Sequence, residues 1–163
     1  MTLEIRNALP SDAASIAEIY NSGIRTRIAT FETHECRTAD VLEWFSAPQF
    51  PFLVAVKDDV VLGWIRASGY RDREYYAGIA EYSVYVAPQA KGQRVGDALM
   101  TAFLPALEAA GFWKVVSRLF PENSASRTLC QRHSFREVGV YERHAKLEGV
   151  WKDTVIVERL LNP

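Results

Sequence analysis

The chain has 163 residues, 48% hydrophobic and 24% charged, with a formal net charge of -1. That length suits one domain, residues 1–163, around one core, and the composition is globular rather than disordered. The near-zero charge offers no clustered basic face for a nucleic-acid backbone, so no nucleic-acid partner is expected.

No run of about 18 apolar residues is present to span a membrane. The opening residues Met1 to Ala14 lack the basic-then-apolar pattern of a signal peptide. Cys36 and Cys130 are far apart and have no Cys-x-x-Cys spacing, as expected of reduced thiols in a cytoplasmic protein.

In chain order, Leu3 to Arg6 reads as a short strand. Pro10-Ser11-Asp12 then makes a turn, with Ser11 or Asp12 placed to cap a helix from Ala13 to Ser22. Ile16, Ile19 and Tyr20 fall on its buried face. Thr38 to Phe45 is a second amphipathic helix, and Phe52 to Lys57 with Val60 to Ala67 form a hairpin across Asp58-Asp59. A polar, aromatic loop from Gly69 to Gly78 leads into a strand at Ile79 to Val86. Lys91 to Gly96 is a glycine-containing turn, and Asp97 to Ala110 is a helix closed by Gly111, where Pro105 predicts a kink or a break. Lys114 to Leu119 is a strand, Ser124 to His133 a helix, and Val155 to Leu161 a last strand. One α/β domain results, without linker or repeat.

The most informative stretch runs from Ser83 to Met100, where a strand enters a short basic turn that opens a helix. Backbone N–H groups at a helix start have no intrahelical partner, and the helix dipole adds partial positive charge. Such a turn is a natural pyrophosphate cradle; the competing reading is a strand–turn–helix connection with its glycines there for geometry alone. Gly92 and Gly96 permit close approach, and Lys91 and Arg94 add charge. No Gly-Lys-Ser/Thr follows and no Gly-x-Gly-x-x-Gly is present, which removes the two commonest rival phosphate loops.

Lys91-Gly92-Gln93-Arg94-Val95-Gly96 resembles the Gln/Arg-x-x-Gly-x-Gly/Ala signature of the GNAT superfamily of N-acetyltransferases. Lys91 stands in place of Gln or Arg, and Arg94 in place of the first glycine. Ile19-Tyr20-Asn21, Thr30-Phe31-Glu32, Trp44-Phe45, Glu81-Tyr82-Ser83-Val84-Tyr85-Val86, Glu122-Asn123-Ser124-Ala125-Ser126 and Gly149-Val150-Trp151-Lys152-Asp153 match in order. These segments are similar to the phosphinothricin/methionine-sulfoximine acetyltransferase branch.

The resemblance implies an α/β (α+β) fold, with a mixed, mostly antiparallel central sheet flanked by helices and splayed at the coenzyme site. It implies acetyl-CoA as cosubstrate, held by Val84, Tyr85 and Val86, by the turn Lys91, Gly92, Gln93, Arg94, Val95, Gly96 and Asp97, and by Asn123 and Ser126. A backbone N–H near Tyr85 or Val86 would polarise the thioester carbonyl. The acceptor would be a small amino-acid-like amine contacted by Phe31, Arg71, Arg73 and Tyr76, and the protein a homodimer built near Trp151 and Asp153. A GNAT enzyme for a protein N-terminus or a polyamine, or a coenzyme-binding regulatory module without turnover, are the alternatives.

Acetyl transfer to an amine needs a proton acceptor, a polarised carbonyl and alignment of the reactants. Glu81, a carboxylate inside an otherwise apolar strand, is the candidate base acting through water; the competing reading is a salt bridge to Arg71 or Arg73. Arg71 and Arg73 suit a substrate acid group, guanidinium matching carboxylate bidentately. Asn123 and Ser126 are equally placed for helix capping. Cys130 lies where the branch often has His and the superfamily Tyr; it reads as a small buried side chain rather than an acid. Arg94 offers its N–H to the coenzyme if its φ is negative, whereas a turn that demands φ > 0 there would weaken coenzyme affinity. His34, His133 and His144 have no ligand-like spacing, so no metal is expected.

Overall fold

The computed structural model describes residues 2–163. Seven strands join in one sheet: β1 (Glu4–Asn7), β2 (Phe52–Lys57), β3 (Val60–Gly69), β4 (Ile79–Val86), β5 (Lys114–Leu119), β6 (Arg136–Leu147) and β7 (Val150–Leu160). Their spatial order is β1-β2-β3-β4-β5-β7-β6. Every neighbouring pair is antiparallel except the central β4–β5 pair. Four α-helices complete the described residues: α1 (Ala13–Thr26), α2 (Thr38–Trp44), α3 (Val95–Ala109) and α4 (Ser124–Arg132).

Burial explains the sheet's first half. Strands β2 and β3 carry runs of buried residues because both faces are covered. On one face Tyr20 of α1 and Trp44 of α2 pack on Trp64, which stacks on Tyr85 at 5.1 Å. On the other, Phe103 of α3 meets Tyr82 edge-on. Asp58 and Asp59 both take φ > 0, as the two-residue hairpin turn demands.

Several boundaries differ from the sequence expectation. Helix α1 runs four residues past Ser22, through Gly23, to a left-handed Arg27. Gly23 is a packing residue: a Cβ there would lie 2.6 Å from the Tyr85 ring. Asp12 does not cap α1 with its side chain. Its carboxylate accepts from the Leu9 N–H at 2.8 Å and from Arg6 at 2.8 and 3.0 Å. Pro105 does not break α3: it lies on the exposed outer face, as does Thr101, whose carbonyl loses its usual intrahelical donor.

Strand β6 is absent from the sequence expectation, and β7 begins at Val150 rather than Val155. Trp151 and Asp153 therefore lie within the last strand instead of before it. Nearly all of β6 is exposed, so the period-2 burial signal is missing. The β6–β7 turn places Glu148 and Gly149 at φ 50 and 80, and the Asp153 carboxylate accepts from the Arg143 N–H, pinning a bulge in β6.

Candidate active site

The parallel β4–β5 pairing lasts three rungs, Ile79↔Lys114 to Glu81↔Val116. Beyond that point β4 stays with β3 and β5 stays with β7, so the two central strands part. The Ser117 hydroxyl bonds the Tyr82 carbonyl at 3.2 Å at the fork. Backbone groups alternate edges along a strand, so the N–H groups of Val84 and Val86 share that edge, while Tyr85 turns its own toward β3. Of the two residues expected near the donor, Val86 turns its N–H to the open edge, with that of Val84 beside it. The Tyr85 ring is packed under α1 instead.

A cleft of about 810 Å³ opens from the fork. Val84, Tyr85, Val86, Lys91, Gly92, Arg94, Val95, Gly96, Asp97, Asn123 and Ser126 all line it. Gln93 does not; its side-chain amide donates to the Gln89 carbonyl. Helix α3 starts at Val95, two residues before the expected Asp97, so the free N–H groups of its first turn face the cleft. Arg94 adopts φ 62, the left-handed conformation that suits the glycine it replaces. The negative-φ condition is therefore not met, and the non-glycine residue carries a strain of about 1 kcal/mol. Asp97 spends its carboxylate on Arg94 (3.2 Å), Arg132 (3.1 Å) and His133 (3.1 Å), fixing two guanidinium groups beside the turn.

Asn123 caps α4, its side-chain oxygen accepting from the Ser126 N–H at 3.2 Å. Capping accounts for that oxygen, and both residues also edge the cleft. Cys130 is buried, with its sulfur 2.9 Å from the Tyr82 hydroxyl. Burial pushes both the thiol and the phenol up, so Cys130 behaves as a small buried side chain.

A second cavity of about 300 Å³ is lined by Tyr70, Arg71, Glu81, Val116, Ser117, Arg118, Tyr141 and Ile156. It meets the large cleft at Ser117 and Arg118. Glu81 is paired with neither Arg71 nor Arg73; its two oxygens lie 3.4 and 3.3 Å from Arg118 Nη2. Arg71 lines the cavity with its guanidinium over the Tyr70 ring at 5.1 Å. Arg73 is exposed in the same loop and does not line it. Tyr76 packs on Tyr70 and Tyr75, and Phe31 packs edge-on against Phe120, both outside the lining.

The residues missed by sequence reasoning are Arg118, Arg132 and Tyr141. Arg118 carried only a weak signal, since its segment Lys114-Val115-Val116-Ser117-Arg118-Leu119 also holds Lys114 and Ser117. Tyr141 had none, since its strand was unrecognised. Among the described residues no group of three His, Cys, Asp or Glu side chains is arranged to hold a metal ion.

The chain is similar to known acetyltransferases over nearly its whole length. Over 97% of its length and 82% of the relative's, the chain is 32% identical to phosphinothricin N-acetyltransferase of Alcaligenes faecalis. It is 29% identical to the L-methionine sulfoximine/L-methionine sulfone acetyltransferase of Pseudomonas paraeruginosa, covering 100% of this chain and 97% of that one. A GNAT superfamily phosphinothricin acetyltransferase from Sinorhizobium meliloti, solved in complex with AcCoA, superposes with a TM-score of 0.92 at 29% identity, covering 99% of this chain and 89% of that one. The Acetyltransferase (GNAT) family profile matches residues 16–135, and the chain belongs to that family of acetyltransferases.

Proposed function

We propose that the protein is an acetyl-CoA-dependent N-acetyltransferase for the amino group of a small amino-acid-like substrate of the phosphinothricin, methionine sulfoximine or methionine sulfone type, with Glu81 as general base. One observation carries the reading: the cavity holding Glu81 and Arg71 joins the split-strand cleft at Ser117 and Arg118. An amine beside Glu81 is thereby set next to whatever lies along β4.

The cleft fits acetyl-CoA on this structure's own terms. The N–H groups of Val84 and Val86 line one side in place of a missing strand, and the first turn of α3 with Lys91, Arg94 and Arg132 forms an anion-binding end. When bound, the coenzyme supplies the thioester that the amine attacks. Val86 N–H then steadies the carbonyl oxygen as charge develops on it. Glu81 takes the amine proton through a water as the new C–N bond forms, when that proton becomes acidic. Arg71 adds positive charge to the cavity that takes the substrate's acid group, with Arg73, Tyr76 and Phe31 shaping the approach. Two arginines near the amine site disfavour a polyamine.

The domain works as one unit in the cytoplasm and pairs as a homodimer through β6 and β7. Val138, Val140, Tyr141, Val150 and Trp151 are all exposed on those two strands. Sedimentation as a monomer at micromolar concentration overturns the dimer. The functional reading is tested by thiol release from acetyl-CoA with amino acids, sulfoximines, phosphinothricin and polyamines. Turnover confined to amino-acid-like amines is expected. Glu81→Gln is expected to lower kcat by roughly 10²- to 10⁴-fold; unchanged turnover overturns the base assignment.

A further inference from the structure

The geometry points to Arg118 as the residue that reads the substrate's carboxylate, and to its pairing with Glu81 as one that the incoming amino acid replaces. This rests on the function proposed above and deepens it.

The Glu81–Arg118 contact differs from the protein's bidentate ion pairs. Arg127 grips Glu137 through two nitrogens at 2.8 and 2.9 Å, and Arg6 grips Asp12 at 2.8 and 3.0 Å. Arg118 instead reaches both Glu81 oxygens with one nitrogen, at 3.3 and 3.4 Å. Among the described residues its remaining N–H groups meet no acceptor in the chain, and its side chain is 52% exposed. A loose, single-nitrogen pair at a cavity mouth is weakly held and exchanges readily. Arg118 and Ser117 are also the two residues common to the cavity and the cleft.

An α-amino acid carries an amine and a carboxylate on one carbon, the complement of a carboxylate beside a guanidinium. Inserted here, its carboxylate takes the Arg118 fork bidentately, and its amine faces Glu81. Arg118 keeps an anionic partner throughout, so no charge is left unpaired. Glu81 loses its guanidinium contact as the amine arrives, which frees its oxygens to receive the proton. An amine without a neighbouring anion leaves the Glu81–Arg118 pair closed. Selectivity for amino acids therefore appears in kcat as well as KM.

The experiment compares wild type, Arg118→Gln and Arg118→Lys on methionine sulfone, its primary amide and its decarboxylated amine, with thermal unfolding recorded for each protein. Arg118→Gln is expected to lose roughly 10- to 100-fold in kcat/KM on methionine sulfone, with the amide and the decarboxylated amine not slowed and, if anything, faster, because no guanidinium then holds Glu81. Arg118→Lys is expected to recover part of the loss, because it restores charge without the fork. An equal loss on all three substrates, or no loss on methionine sulfone, overturns the inference while leaving the acetyltransferase reading intact. No turnover of any amino acid by wild type overturns both.

Discussion

The two ends of the sheet obey different rules. Strands β1 to β4 are sandwiched between α1 with α2 on one side and α3 on the other, with Trp64, Ile65 and Val54 almost wholly buried. Strands β6 and β7 form a long hairpin that is largely bare, with eleven of the twelve β6 residues not buried. The cleft and its side cavity lie at the seam, where β5 abandons β4 for β7. The packed end supplies rigidity, and the bare end supplies Tyr141 and Ile156 to the cavity together with a surface for assembly.

If that contrast is sound, Trp64→Ala loses about 3–5 kcal/mol of stability by chemical denaturation, since it empties the centre of the aromatic cluster. A loss comparable to a surface substitution would mean that the first half is not the rigid one. Also in the packed half, Asp12→Asn is expected to cost about 1–3 kcal/mol at neutral pH. The Arg6 guanidinium, helped by the Leu9 N–H, holds the Asp12 carboxyl below the usual range. Its contribution is therefore complete above the ordinary carboxylate value of about 4 and fades as pH falls through the lower folded value. The gap between wild type and variant should be flat from roughly pH 5 to pH 8 and close in acid.

At the seam, Arg94→Gly is expected to gain up to about 1 kcal/mol, read as a higher Tm, because glycine takes the left-handed conformation freely. In the bare half, Val140→Asp is expected to shift folded-monomer stability by less than about 0.5 kcal/mol while moving sedimentation toward the lighter species. A large stability loss that does not depend on protein concentration would place β6 among the packed elements.

The same contrast governs what the sequence reveals. Strands β2, β4 and β5 were legible at both ends because runs of strand-forming residues are bounded there by turn formers, Pro51 and Asp58 around β2, Gly78 and Pro88 around β4, and Gly111 before β5. Glu81 was legible because a carboxylate is out of place in such a run. Strand β6 was not, since Arg136-Glu137-Val138-Gly139-Val140-Tyr141 carries no buried face to set a period. The partner of Glu81 was misjudged for a related reason: Arg71 and Arg73 are near in sequence, whereas Arg118 arrives only when the sheet closes β5 against β4. Likewise, the left-handed turn at Arg94 depends on how α3 docks, which residue identity alone does not state.

The Tyr82–Cys130 contact has a chemical consequence for an enzyme whose reaction releases a free thiol. Cys130 is 1% exposed, and half-buried Cys36 is also pushed up by desolvation. Neither forms an appreciable thiolate at neutral pH, and thiolate is the species that exchanges with disulfides. Oxidised coenzyme accumulating under oxidative stress therefore finds little in this chain to cap.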